Sequence, residues 1–259
     1  NDQPQTFGRK ELAGLIKQAG FLSTEFLAPF PDYKLPVSIV TEHGFSCDAF
    51  DAAALAWQSV RRDPQLPPVL AFSPELVWPT IVNNELALDL ANSFLIVASQ
   101  AESDILVSSD ILAWHFSCDR LAQYAKQAQF IRNDVGDIKV LYRRLSKEID
   151  FWSGQKLFTF NLPTAEPYKH GEPLLQMAVG TVTQDGWHPD DIGKFLLEYI
   201  KVLCELLELD LREVKTSKSS KLPGSAFDLT PQNIIVLKTG GYATIDHEWA
   251  LLEPIELGH

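Results

Sequence analysis

The sequence predicts a chain of mixed class, an α/β part followed by an α+β part. Three observations carry this. In the first half, helical spacing over residues 8–20 is followed by strand-like segments, the clearest containing Ser93-Phe94-Leu95-Ile96-Val97-Ala98. In the second half, Ile192, Phe195, Leu196, Ile200, Leu203 and Leu207 form an apolar helical stripe. Two short apolar runs, Ile234–Leu237 and Tyr242–Ile245, bracket Thr239-Gly240-Gly241 as a hairpin. The polar stretch Ser99–Asp104 separates the halves, so the expected domains are 1–99 and 100–259.

Each element has its own signal. Thr6 precedes the first helix, Leu12, Leu15, Ile16 and Ala19 repeat at helical spacing, and Gly20 stops it. Phe21–Phe30 is aromatic and aliphatic and reads as a strand, with Pro29, Pro31 and Pro36 punctuating its exit and Val37–Thr41 as a second short run. Residues 42–90 read as an insertion of short helices and loops. Within it Asp51–Arg61 is helical, and Arg61–Pro74, with Pro64, Pro67, Pro68 and Pro74, is extended. The unbroken apolar run in Asn92–Ser99 predicts a strand buried on both faces. Ile105–Val107 and Ile111–Phe116 read as strands, Leu121–Phe130 as a helix or a helix–strand junction, and Ile138–Leu145 as a strand after the turn Asp134-Val135-Gly136-Asp137. Phe151–Phe160 is partly strand-like and Pro163–Gly171 a connection. Asp190–Leu209 is the strongest helix, with Asp190 placed to cap it. Arg212–Ser225 is polar, Lys/Ser-rich and reads as a mobile loop.

Composition narrows the function classes. Of 259 residues, 46% are hydrophobic and 22% charged, the balance of a globular protein rather than a disordered one. No apolar run reaches the length of a membrane span. A formal net charge of -12 argues against a nucleic-acid partner. The basic clusters Lys139, Arg143, Arg144, Lys147 and Lys215, Lys218, Lys221 read as solvated surface when each is taken alone. Cys47, Cys118 and Cys204 are odd in number and far apart, which fits a reducing compartment and a cytoplasmic location and offers no thiolate metal site. Asn1–Lys10 lacks the apolar core of a signal peptide. The sole Met is Met177, so the chain is expected to begin inside a longer protein.

The chemistry concentrates between Ser225 and Trp249. Asp228 and Asn233 are separated by four residues in Asp-Leu-Thr-Pro-Gln-Asn, the hairpin follows, and Asp246 sits at its far end. This order of loop, strand, turn, strand and acid resembles the active site of protein kinases and aminoglycoside phosphotransferases. The resemblance implies that Asp228 accepts or orients the proton of the attacking hydroxyl. It also implies that Asn233 and Asp246 hold Mg2+ against the phosphates of ATP, since magnesium takes hard oxygen ligands. Glu248 either adds a metal-facing carboxylate or points outward. The sequence departs from the pattern at Ala226, where a His is usual, and at His247-Glu248-Trp249 in place of Phe-Gly. The second departure is closer to small-molecule and sugar kinases.

The same resemblance asks for a glycine hairpin and a strand lysine over the nucleotide. Gly136 marks the hairpin, Tyr142 stands at the expected lysine position, and Arg143, Arg144 or, in another register, Lys139 are the candidate phosphate ligands. Pro167-Tyr168-Lys169-His170-Gly171-Glu172 resembles the interlobe hinge, with Tyr168 and Gly171 against the adenine and Gly171 relaxing the turn.

Phe30-Pro31-Asp32-Tyr33-Lys34-Leu35-Pro36, Ala91–Ala98, Asp228–Asn233 and Ile245-Asp246-His247-Glu248-Trp249 occur in that order. Together they resemble bacterial multidomain S-adenosylmethionine-dependent methyltransferases of surface-polysaccharide (O-antigen) synthesis with a fused kinase-like domain. The resemblance covers nearly the whole chain. It implies the C-terminal end of a Rossmann-like methyltransferase domain over 1–99, its last strand pair antiparallel, followed by a partial protein-kinase-like bilobal domain. No strand leads into a Gly-x-Gly cofactor loop, so S-adenosylmethionine is expected only in a full-length protein. Only thirteen residues follow Asp246, fewer than a kinase-like C-terminal lobe needs. Asp32 and Lys34 either contact a methyl acceptor or fix a turn. Three functions follow as expectations: phosphoryl transfer from ATP to a sugar or polysaccharide hydroxyl, a pseudokinase-like module within a glycan-synthesis assembly, or methyl transfer in the full-length protein alone.

Overall fold

A computed structural model describes residues 6–102, 105–147, 157–212, 214 and 220–257. The chain forms two compact units, one from Asn1–Asp150 with Thr164–Tyr168, the other from Phe151–Pro163 with Lys169–His259. The class is α+β: the described residues hold six α-helices, and every strand pairing among them is antiparallel. No helix among them is long and apolar enough to cross a membrane.

The first unit runs α1 (Arg9–Gln18), β1 (Ser23–Phe30), β2 (Ser38–Val40), α2 (Glu42–Phe45), α3 (Ala52–Val60), α4 (Pro74–Asn83), β3 (Leu95–Ser99), β4 (Ile111–Ser117), β5 (Lys126–Arg132) and β6 (Ile138–Arg144). After β7 (Phe158–Phe160), which belongs to the second unit, β8 (Ala165–Pro167) closes it. Seven strands form one sheet in the order β3-β1-β2-β4-β5-β6-β8. This corrects the domain boundary expected at Ser99–Asp104: that polar stretch joins two strands of a single sheet. It also corrects β3, whose apolar run predicted burial on both faces. The strand sits at the sheet edge, paired only with β1, and Leu95 is exposed. Residues 105–107 are not a strand. Val107 instead donates its amide to the Glu25 carboxylate at 3.0 Å.

Helices α3 and α4 supply the apolar cover. Asp51 caps α3 by accepting from the Ala54 amide, and the predicted helix over 51–61 is present. Pro74 opens α4 at its first turn, where a missing N–H costs nothing. Phe30, 1% exposed, meets Trp78 edge-on at 4.8 Å between ring centres. One buried polar chain is matched throughout: Ser59 donates to the Leu55 carbonyl, so it accepts from Ser38, which in turn accepts from His115 Nδ1. That proton order fixes the ring tautomer.

The second unit continues with β9 (Gly171–Pro173), α5 (Leu175–Val182), α6 (Pro189–Leu206), β10 (Lys221–Leu222), β11 (Ile234–Leu237), β12 (Tyr242–Thr244), β13 (Trp249–Leu251) and β14 (Ile255–Glu256). Its strands form small sheets: β12-β11-β9, β10 with β14, and β13 with β7. Leu174, Val202, Leu203, Leu222, Leu229 and Ile234 make the core beneath them. The cap of α6 is His188, not the expected Asp190. The His188 ring accepts from the Asp190 amide, and Asp191 accepts from the His188 amide, a reciprocal pair that starts the helix one turn ahead of its apolar stripe. The loop expected over Arg212–Ser225 lies partly outside the described residues, and its end is ordered as β10 and a 3-10 turn.

Candidate active site

The site grows from one short 3-10 turn, Gly224–Asp228. Pro223 precedes it, and the Ala226 amide closes it on the Pro223 carbonyl at 2.9 Å. Leu229, 2% exposed, then anchors the loop in the core, and Tyr199 of α6 donates to the Leu229 carbonyl at 2.6 Å. A second turn closes from the Asn233 amide to the Thr230 carbonyl, delivering Asn233 to the start of β11. The β11–β12 hairpin returns the chain to the same place, since Ile245 donates to the Asn233 carbonyl at 2.9 Å. Asp246 therefore arrives beside Asn233 because of hairpin register, which the glycine pair at 240–241 permits with φ of 93° and 78°.

Asp246 itself is left-handed, with φ 54°. An L-residue other than glycine is uncommon there, and such strain gathers at functional sites. The chain beyond it is laid over the 3-10 turn. Asp228 Oδ2 accepts from the Glu248 amide at 2.8 Å and the Trp249 amide at 3.0 Å. His247 Nε2 donates to the Ser225 carbonyl at 2.9 Å. A Cβ on Gly224 would run into the Leu251 carbonyl oxygen, so only glycine allows this approach. Asn233 Nδ2 donates to the Asp228 carbonyl at 2.9 Å and to Asp228 Oδ1 at 3.3 Å. Asp228, Asn233 and the 246–249 segment are thus one hydrogen-bonded cluster within the second unit.

Burial pushes the Asp228 carboxyl above the usual carboxylate range. The Trp249 and Glu248 amides oppose the rise, and the negative charge of Asp246 adds to it. Glu248 is 4% exposed, which removes the outward-pointing reading of that residue. Among the described residues no three His, Cys, Asp or Glu gather as a cation cage. The donor chemistry fits magnesium in its other mode, in which one or two protein oxygens share the ion with substrate phosphates. With its amide nitrogen turned to Asp228, Asn233 has its carbonyl oxygen as the oxygen donor for such an ion, and Asp246 is the carboxylate that follows the hairpin.

No family model, curated protein or solved structure matches the chain.

The residues expected to hold the nucleotide fare differently. Lys139 and Arg143 lie on one face of β6 and Arg144 on the other, by strand alternation. Arg143 donates to Gln127 Oε1 at 2.9 Å, Arg144 to the Gln123 carbonyl at 2.8 Å, and Lys139 is exposed. Tyr142, at the position expected for lysine, donates to Glu166 at 3.2 Å. Tyr168 packs its ring against Phe50 and Phe130, accepts from the Asp51 amide and donates its own amide to Ile138. Its side chain and amide are both committed to the first unit, and burial pushes its hydroxyl well above the usual tyrosine range. The chain passes from the first unit to the second between Tyr168 and Lys169, inside the segment expected as a hinge, and Gly171 follows that passage. It opens β9 against β11, where a Cβ would strike the Val236 carbonyl. The lysine that sequence reasoning passed over is Lys126. It is 1% exposed on β5, with Nζ 5.1 Å above the Tyr142 ring.

A cleft of about 780 Å³ lies between α5 and α6, bordered by Met177, Trp187, Lys194 and Phe195. None of the predicted site residues lines it.

Proposed function

We propose that the second unit carries the acceptor and metal half of a kinase-like phosphotransferase that moves the γ-phosphoryl group of ATP to a sugar hydroxyl. The observation that supports this most is the side-chain hydrogen bonding of Asn233 to Asp228, with the hairpin register bringing a left-handed Asp246 back to the same end of β11. Magnesium held by Asn233 and Asp246 would supply charge neutralisation on the phosphates. The chain's own work is positioning and proton transfer. Asp228 orients the acceptor hydroxyl and takes its proton as the new oxygen–phosphorus bond forms and the bridging bond to ADP breaks. A carboxyl held above its usual range by burial is a better base for that proton than an exposed one.

The proposal extends to the resemblance in the first unit. Its one point of agreement is the antiparallel pairing of β1 with β3, in register from Ser23 opposite Ser99 to Leu27 opposite Leu95; against it, both strands belong to one antiparallel sheet with β2, β4, β5, β6 and β8, whereas a Rossmann-like domain is built on a mostly parallel sheet. A second reading, a pseudokinase-like module, draws support from Tyr142. It fills the lysine position and is tied to Glu166.

Calorimetry with ATP, with and without magnesium, separates the two. Asparagine tolerates left-handed backbone nearly as well as aspartate, so Asp246→Asn removes a ligand charge while sparing the fold. The expected result is magnesium-dependent ATP binding that weakens at least about tenfold in Asp246→Asn. A folded wild-type chain that binds no Mg·ATP overturns the phosphotransferase reading in favour of the module.

A further inference from the structure

We infer that Asp228 is also the positioning residue that clasps the 246–249 segment and so holds Asp246 in its ligand-presenting conformation. This inference deepens the phosphotransferase reading and rests on it for its functional meaning. The structural claim stands apart from it.

The Asp228 carboxylate is divided between two duties. Oδ2 accepts from two successive amides, Glu248 and Trp249, at 2.8 and 3.0 Å. Oδ1 lies 3.3 Å from Asn233 Nδ2, and it is the oxygen left to take an acceptor proton. Charge-assisted bonds from amide to carboxylate are stronger than neutral ones. They fall two and three residues after the strained Asp246, where they oppose its return to ordinary backbone angles. The clasp has a rival on the opposite side of the same peptide. The Glu248 carbonyl accepts from the Asn161 amide at 2.8 Å, and β13 pairs with β7 from Trp249 onward. Either the carboxylate holds the segment, or the β7–β13 ribbon does so alone.

Two variants decide it. Asp228→Asn keeps an oxygen that accepts both amides, and the Asn233 bond to the Asp228 main-chain carbonyl survives in it. Asp228→Ala removes the acceptor. Hydrogen exchange by NMR at the Glu248 and Trp249 amides, without metal or nucleotide, is the first readout. Loss of two such bonds predicts a fall in protection of about tenfold or more in Asp228→Ala. Asp228→Asn is expected to stay within about threefold of wild type. The amides of Ile235 and Val236 in β11 serve as the folding control. Should Asp228→Ala not fold, Asp228→Ser, whose single short hydroxyl cannot span both amides, gives the same reading. Equal protection in the folded alanine or serine variant and in wild type overturns the clasp and assigns the segment to the β7–β13 ribbon.

Mg·ATP calorimetry is the second readout. The clasp predicts about tenfold weaker binding in Asp228→Ala than in Asp228→Asn. Absence of binding in wild type would sink the phosphotransferase reading and leave the exchange result intact. Equal affinity in the two variants would mean that the clasp does not position Asp246.

Discussion

The two units treat their chemistry-bearing residues in opposite ways. In the first, the candidates are absorbed by the fold: Tyr168 into an aromatic cluster, Arg143 into a cross-strand hydrogen bond with Gln127, Arg144 onto the Gln123 carbonyl of a 3-10 turn, Lys126 over the Tyr142 ring. A continuous seven-stranded sheet with two covering helices makes its core from aromatic and aliphatic residues with many Ala, and polar side chains serve that packing. In the second, the strands are short and the apolar core is small, yet three polar residues converge; left-handed backbone does not by itself mark the site, since Glu85 in the first unit and Glu208 share it with Asp246. A unit that spends limited apolar burial on holding a strained acid in place is using the fold to support a site. The difference teaches that proximity of charged residue types in sequence says little until their hydrogen bonds are assigned.

Three substitutions sharpen this comparison. The largest effect belongs to Trp78→Ala, which empties an edge-on contact with Phe30 and should cost about 3–5 kcal/mol in urea unfolding. A cost near zero would mean that the first unit does not depend on its aromatic core. Next comes Tyr199→Phe, which leaves the Leu229 carbonyl, just after the 3-10 turn, without the Tyr199 donor and should cost about 1–3 kcal/mol. It also has a pH signature. Burial raises the Tyr199 hydroxyl to about 12 in the folded chain, above its ordinary value of 10.0. Between those values the folded state keeps a proton that the unfolded chain has lost, so stability falls as pH rises through the window. Unfolding midpoints measured across that window should decline less steeply in Tyr199→Phe. The smallest effect belongs to Arg143→Gln, an exposed residue with one side-chain partner, at under about 0.5 kcal/mol. If that variant instead lost Mg·ATP affinity, the contrast between the units would break, and Arg143 would belong to the site.

Much of the second unit was legible because its information is local. Asp228, Asn233 and Asp246 are tied by a turn and a hairpin whose register follows from alternating apolar residues and two glycines. The same locality exposed α3 and the turn at Gly136. What stayed hidden depends on distant partners. The polar stretch after Ser99 reads as a boundary until β4 is seen in the same sheet as β1 and β3. The apolar run of β3 cannot announce that it lies at an edge. Pro74 reads as the end of an extended segment, although it opens α4, a helix that also carries Pro79 inside it. Gly180 and Thr181 lower the helical signal of α5, which forms by packing beside α6. Nothing in Tyr124-Ala125-Lys126-Gln127 predicts a buried lysine, because its partner Tyr142 sits one strand away. The capture of two amides by Asp228 was equally invisible, since it depends on where the chain returns after Asp246.

The left-handed backbone at Asp246 has a consequence for mutational tolerance. A library selected only for thermal survival should admit glycine at this position readily, because glycine adopts φ 54° without a Cβ penalty. A library selected for phosphoryl transfer should reject glycine there, since it has no oxygen to offer. Position 246 is thus one where durability and chemistry pull a sequence in opposite directions.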